Sequence, residues 1–255
     1  MTLPLVISIP HCGTEVPAGI AKGLALSPSQ VAESEDVGTR ELFAGLPALA
    51  IQAARWSRLV VDLNRDPHDL GPRGVIAQAD YFGRTVFKPG FEPDRAETMR
   101  RVKIYHQPYH DQLIQNLTHA KPRLLLDCHS MDAVGPADAP DPGERRAQVS
   151  LGNNGNQDGE CDSAKAETTC PAELLRGFAA ALKVQGFSVS LNRPYAGGFI
   201  TRHYGAALRK QGKAAMQIEL NKDLVLTSEG RPDPLKAART SKALLAALRS
   251  LSSGW

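Results

Sequence analysis

The chain has no apolar run approaching the roughly 18 residues that a membrane-spanning helix needs, so none is expected. It also has no CxxC pair: its four cysteines, Cys12, Cys128, Cys161 and Cys170, are scattered. A chain of 255 residues buries enough apolar surface to do without covalent staples. Reduced thiols are expected, with a Cys161–Cys170 bridge as the one pairing left open. There is no block of like charge either, since 30 Lys and Arg are interspersed with 27 Asp and Glu for a net +3. That argues against a nucleic-acid arm or a membrane-surface patch, and the aromatic patterning lends nucleic acid no support. The opening "MTLPLVISIPH" lacks the charged segment and small-residue cleavage site of an export signal, which points to the cytoplasm. Finally, no internal repeat and no linker interrupts the chain, so a single domain over 1–255 is the simplest organisation. Nothing in the sequence sets an oligomeric state.

What is present is alternation. β-like apolar runs occur at "LVISI" (5–9), "RLVVDL" (58–63), "RLLLDC" (123–128), "FSVSL" (187–191) and "AAMQIEL" (214–220). Helix-like stretches separate them: 36–49, the long 94–120, 171–186 and 233–251. The third opens on Pro171, suited to a first helical turn, and stops at Gly186. Helices alternating with buried-looking strands predict an α/β layered sheet. The segment 133–163 is rich in Pro, Gly, Asp and Asn without periodicity and reads as a long loop, a kind that usually serves function.

The ends of these runs are polar: "PHCGT", "DLNRDP", "DCHSM", "LNRPYAGG" and "IELNK". In open α/β sheets, sites form outside the carboxyl ends of strands. Asp127 and His129 lie two apart, so on an extended strand they point the same way, which suits either a ligand histidine with its orienting acid or a structural pair. Catalytic zinc sites take three protein ligands from His, Asp and Glu and leave a fourth position for water. His11 and His129 supply imidazoles, "ESEDVGTREL" supplies Glu33, Glu35 and Asp36, and Glu219 remains as a carboxylate in an apolar run that could serve as base. There is no dense motif such as HExxH.

His106 and His110 are four apart, a spacing that places two ligands on one helix face, but Pro108 between them interrupts helical hydrogen bonding. Packing is the expected role of His106, with His110 near the pocket. Cys12 and Cys128 each adjoin a candidate metal histidine, which leaves a cysteine-nucleophile amidase as a rival. A metal-dependent binding protein for small carboxylates is a further alternative.

The stretches "SIPHCGTEVP", "DVGTREL", "RLVVDLNRDP", "YHQPYHDQL", "LLLDCHSM", "LNRPYAGGFITRHYG" and "QIELNKDLVL" resemble, in order, the N-formylglutamate amidohydrolase family. The resemblance covers residues 5 to about 226, with "DLNR", "DCHS" and "GGFITRHYG" its most specific parts. It implies a three-layer α/β/α sandwich with a central mixed, mostly parallel sheet of the zinc-peptidase or phosphorylase-hydrolase kind. It implies removal of formate from N-formyl-L-glutamate, the last step of one histidine degradation route. It places Zn2+, or another divalent metal, on His11, Asp36 and His129, with Glu35 the neighbouring acid, and the base on Glu219. An anionic N-acyl amino acid would be met by arginines, which grip carboxylates bidentately. Arg193 and Arg202 are the candidates for its carboxylates, and Arg65 for the oxyanion. Gly198 would allow close backbone approach, while Asn64 and His203 would border the substrate. A related zinc amidase or peptidase acting on another N-acyl amino acid is the nearest alternative. Residues 66–90 and 133–160 depart from the family's better-known branch.

Overall fold

The computed structural model describes residues 2–252. Among them, six strands form one sheet: β1 Leu3–Ile9, β2 Ala48–Ala53, β3 Leu124–Met131, β4 Val149–Gly152, β5 Val189–Leu191 and β6 Ala214–Asn221. Their order is β2-β1-β3-β6-β4-β5. All neighbours are parallel except β4 and β6, so the sheet is mixed and mostly parallel as expected. Every residue of β3 and β6 is buried, the pattern of central parallel strands covered on both faces.

The α-helices are α1 Ala18–Ala21, α2 Pro28–Glu33, α3 Thr39–Phe43, α4 Arg95–Arg101, α5 Gln107–His119, α6 Ala172–Val184, α7 Phe199–Arg209 and α8 Pro234–Ser252. Helices α3, α6 and α8 pack together on one face of the sheet, while α5 covers β1 and β2 and α7 covers β3 and β6 on the other. One apolar core joins the layers, from Leu3 and Ile7 through Leu125 and Met216 to Phe178 and Leu248.

Three expectations differ from the fold. The run 58–63 is not a strand. Its amides bond to local turn partners, Val60 N–H to Ser57 O and Arg65 N–H to Asp62 O, while Leu59, Val60, Val61 and Leu63 are buried. A short apolar run carries no period that separates a strand from a buried turn. The strand at that edge is β2, in the Ala-rich "ALAIQA" whose start had read as the tail of a helix. Pairing with β1 overrides its helical propensity, and the helix closes after Phe43. The segment 133–163 is not all loop, because Val149–Gly152 inserts beside β6 as β4.

The stretch 94–120 is a nearly continuous rod. Asp94 caps α4 by accepting from Glu97 N–H, and a single π-type turn, Val102–His106, joins α4 to α5. That widened turn absorbs Pro108 in the first turn of α5, where a missing N–H costs little. No disulfide forms: Cys161 and Cys170 are both free.

Candidate active site

Three adjacent parallel strands deliver the polar residues. His11 follows β1, His129 lies near the end of β3, and Glu219 lies opposite His129 in β6. The strand order reverses direction between β1 and β3, the kind of place where open sheets bind ligands. Asp36 comes from the turn between α2 and α3, which His11 O anchors by accepting Asp36 N–H at 3.1 Å. Gly38, at φ 83°, lets the chain turn there, and a Cβ would strike Val225.

His11, Asp36 and His129 are buried, and one donor atom from each falls within 4.8 Å of the others. His129 Nδ1 is 2.9 Å from Asp36 Oδ2. His11 Nδ1 is 3.3 Å from the same oxygen but makes no hydrogen bond, a buried nitrogen without a proton partner. Its other nitrogen, Nε2, meets Asp62 Oδ1 at 2.8 Å. His129 Nε2 faces Asp127 Oδ2 at 3.3 Å and Asn64 Nδ2 at 3.2 Å. Imidazoles backed by carboxylates with their remaining nitrogens turned toward a shared acid are what a divalent cation needs. The orphaned His11 Nδ1 and the donor set therefore fit a metal. Glu35 approaches neither imidazole, so Asp36 is the acid brought to the histidines.

The electrostatics follow from burial against pairing. Burial alone would raise the Asp36 carboxyl, but the His11 and His129 imidazoles outweigh it and hold it far below the usual range. Asp62 is likewise held down, against burial, by the Arg58 guanidinium and by His11. Burial would lower His129, and the carboxylates of Asp127 and Asp36 raise it well above an ordinary histidine. Glu219 goes the other way: burial, opposed by His129 and reinforced by the Asp36 charge, pushes its carboxyl up to about 7.

A cavity of about 570 Å³ opens over this centre. Arg65 and Arg202 both line it, along with Asn64 and Gly198. Among the described residues, the Arg65 guanidinium makes no hydrogen bond or ion pair, and Arg202 bonds only Gly198 O, through Nε at 3.2 Å. The other cations of the wall are engaged by acids: Arg58 with Asp62 at 2.7 Å, Arg73 with Asp138 at 2.8 Å, Arg146 with Asp141 at 2.6 Å and Lys222 with Asp132 at 3.0 Å.

Two candidates lie elsewhere. Arg193 is outside the cavity wall and pairs with Glu144 at the surface. His203 is exposed and stacks on Phe199 at 4.8 Å, also outside the wall. Asn64 is a strut rather than a free donor. Its Oδ1 accepts Ile200 N–H at 2.8 Å, tying the start of α7 to His129. Gly198 permits this closeness, because a Cβ there would lie 2.1 Å from Asn64 Nδ2.

The sequence reading missed Asp62, Arg58, Arg146 and Gln217. Asp62 and Arg58 are four apart around the same turn, and both sit in the recognised "RLVVDLNRDP" stretch from which only Asn64 and Arg65 had been drawn. His106 and His110 stack at 4.1 Å and brace that turn from behind, through Arg65 O at 3.1 Å and Leu63 O at 2.9 Å. Neither thiol beside a candidate metal histidine lines the cavity. Cys12 Sγ donates to Ile9 O and Cys128 Sγ to Leu126 O, and burial pushes both thiols up, away from the reactive thiolate.

Fold and site together define an α/β/α protein with a cation-competent imidazole–carboxylate centre at the carboxyl end of its sheet. The family described as N-formylglutamate amidohydrolase matches residues 3–226. An N-formylglutamate deformylase of Pseudomonas aeruginosa is 30% identical over 233 residues, 86% of this chain and 80% of that protein. Another, from Pseudomonas putida, is 31% identical over 219 residues, 80% of this chain and 75% of that protein. The crystal structure of N-formylglutamate amidohydrolase from Ralstonia eutropha superposes with a TM-score of 0.77 at 24% identity, covering 99% of this chain and 94% of that one. The chain belongs to the N-formylglutamate amidohydrolase family.

Proposed function

We propose that this chain is a metal-dependent amidohydrolase that cleaves N-formyl-L-glutamate to formate and L-glutamate, in the cytoplasm, as a step of histidine breakdown. The observation that carries the reading is the buried His11–Asp36–His129 trio, its orphaned His11 Nδ1 facing the acid, with Glu219 alongside in the next strand. The relatives' names supply the substrate. Two imidazoles and a carboxylate favour zinc, although other divalent metals accept the same donors. Held by these three residues, a divalent ion would activate water and polarise the amide carbonyl.

The chain's own residues then handle charge and protons. Glu219 takes a proton from the attacking water and gives it to the nitrogen as the C–N bond breaks. The water oxygen ends in formate and the proton on the amine of glutamate. Arg65 and Arg202, the cations of the wall that form no ion pair, grip the substrate carboxylates, and Arg65 also meets the oxyanion. Asp62, Asp127 and Asn64 hold the imidazoles in orientation. Among the described residues, no helix is long and apolar enough to cross a membrane. Residues 1–255 act as one domain in this reading.

The test is formate release from N-formyl-L-glutamate before chelation, after chelation and after zinc is restored. Activity that disappears and returns is expected. Full activity in chelated, metal-free protein would overturn the metal role, and inactivity of zinc-loaded protein that turns over other N-acyl amino acids would move the substrate.

A further inference from the structure

Glu219 is held by a neighbour that the proposed chemistry does not yet use. Gln217 and Glu219 are two apart in β6, so both side chains leave the same face of the sheet. Both are buried, Gln217 at 3% exposure and Glu219 at 7%. Gln217 Oε1 accepts the N–H of Gly198 at 2.6 Å, and Gln217 Nε2 donates to Glu219 Oε1 at 2.9 Å.

These two bonds fix the amide without ambiguity. A backbone N–H can only donate, so the oxygen of Gln217 must face Gly198 and its NH2 must face Glu219. The anchor is itself rigid. Gly198 is the residue before α7, pinned between Asn64 and the Arg202 Nε that bonds its carbonyl. Among the described residues, the second carboxylate oxygen of Glu219 makes no hydrogen bond. One oxygen is thus occupied by a donor, and the other is left as the atom that exchanges a proton.

We propose that Gln217 is the positioning residue of Glu219, holding Oε1 so that Oε2 alone carries the proton between water and the leaving amine. The inference rests on the amidohydrolase reading above and deepens it. The arrangement also ties the base to α7, the helix that carries Arg202, so that base and substrate-gripping cation are set by one backbone amide.

Two substitutions separate positioning from mere packing. Gln217→Leu removes both bonds at similar volume. Gln217→Glu keeps an oxygen for Gly198 N–H but replaces the neutral donor by a second carboxyl that competes with Glu219 for one proton. On the zinc-loaded, full-length protein we expect both variants to lower kcat roughly tenfold to a hundredfold, a share of the 10²–10⁴ that a positioned acid–base group contributes. KM and zinc stoichiometry are expected to stay near the parent values. A Gln217→Glu protein with parental kcat would overturn the proposal, since a residue needed only to anchor α7 would survive that change. A loss of zinc, or a rise in KM with kcat intact, would also overturn it, by assigning Gln217 to the metal or to substrate binding. An inactive parent enzyme would instead count against the substrate reading, which keeps the two failures apart.

Discussion

On the sheet side of the cavity the charged groups are buried and hold one another. Asp62 bridges His11 and Arg58, Arg58 reaches Asp36 at 3.5 Å, and Asp36 joins His11 to His129. On the loop side, Arg73 and Asp138 link 66–90 to 133–160 through side chains 66% and 36% exposed. The first arrangement is over-determined: removing one group leaves a buried charge without its partner, which costs several kcal/mol. The second pairs two charges in water, where an ion pair is worth little. The reacting centre is therefore built where geometry is hardest to change, and the mouth where it is easiest. The division runs only partly through the sequence: the divergent stretches supply the exposed pair Arg73–Asp138, but 133–160 also supplies strand β4 and the buried Arg146–Asp141 pair.

The contrast can be tested from its most sensitive point outward. Glu219→Gln is expected to lower kcat by roughly 10²–10⁴ while zinc stays bound, read from steady-state kinetics beside metal analysis. Unchanged turnover would remove Glu219 from the reaction. Asp62→Asn strips the charge behind His11 and the partner of Arg58, and metal affinity should fall about 10- to 100-fold in a chelator competition. Unaltered affinity would make Asp62 a packing group only. Arg73→Ala breaks the exposed link across the mouth, and stability should fall by less than about 1 kcal/mol in urea denaturation. A loss comparable to that from Asp62→Asn would put both sides of the cavity on equal terms.

His11, His129 and Glu219 became candidates because each ends or nearly ends an apolar strand; singly each admits a structural reading, and the family resemblance is what set them together. Asp36 needed the family resemblance, since three acids compete in "ESED" and only the folded turn selects one. Arg58, Asp62 and Gln217 were hidden for another reason. Arg58 and Asp62 pair with each other four apart, but the partners that bring them to the site, Asp36 and His11, lie 22 and 51 residues away, and Gln217 reaches Gly198 at a loop–helix junction; local pattern does not report distant pairing. The edge strand β2 was hidden by its alanines, and β4 by having only four residues amid turn formers. Arg193, conspicuous in its motif, pairs with Glu144 outside the cavity wall.

The position of β6 has a consequence for how the chain assembles. Last of the strands in sequence, it lies between β3 and β4, pairing with β3 on one side and β4 on the other. During synthesis β1, β2 and β3 can join early, but β3 then presents a bare edge of backbone donors and acceptors, and β4 and β5 have only each other to pair with. The sheet closes only after residues 214–221 emerge. His11 waits for Glu219, roughly two hundred residues further along the chain, so an order of assembly dominated by distant contacts precedes completion of the site.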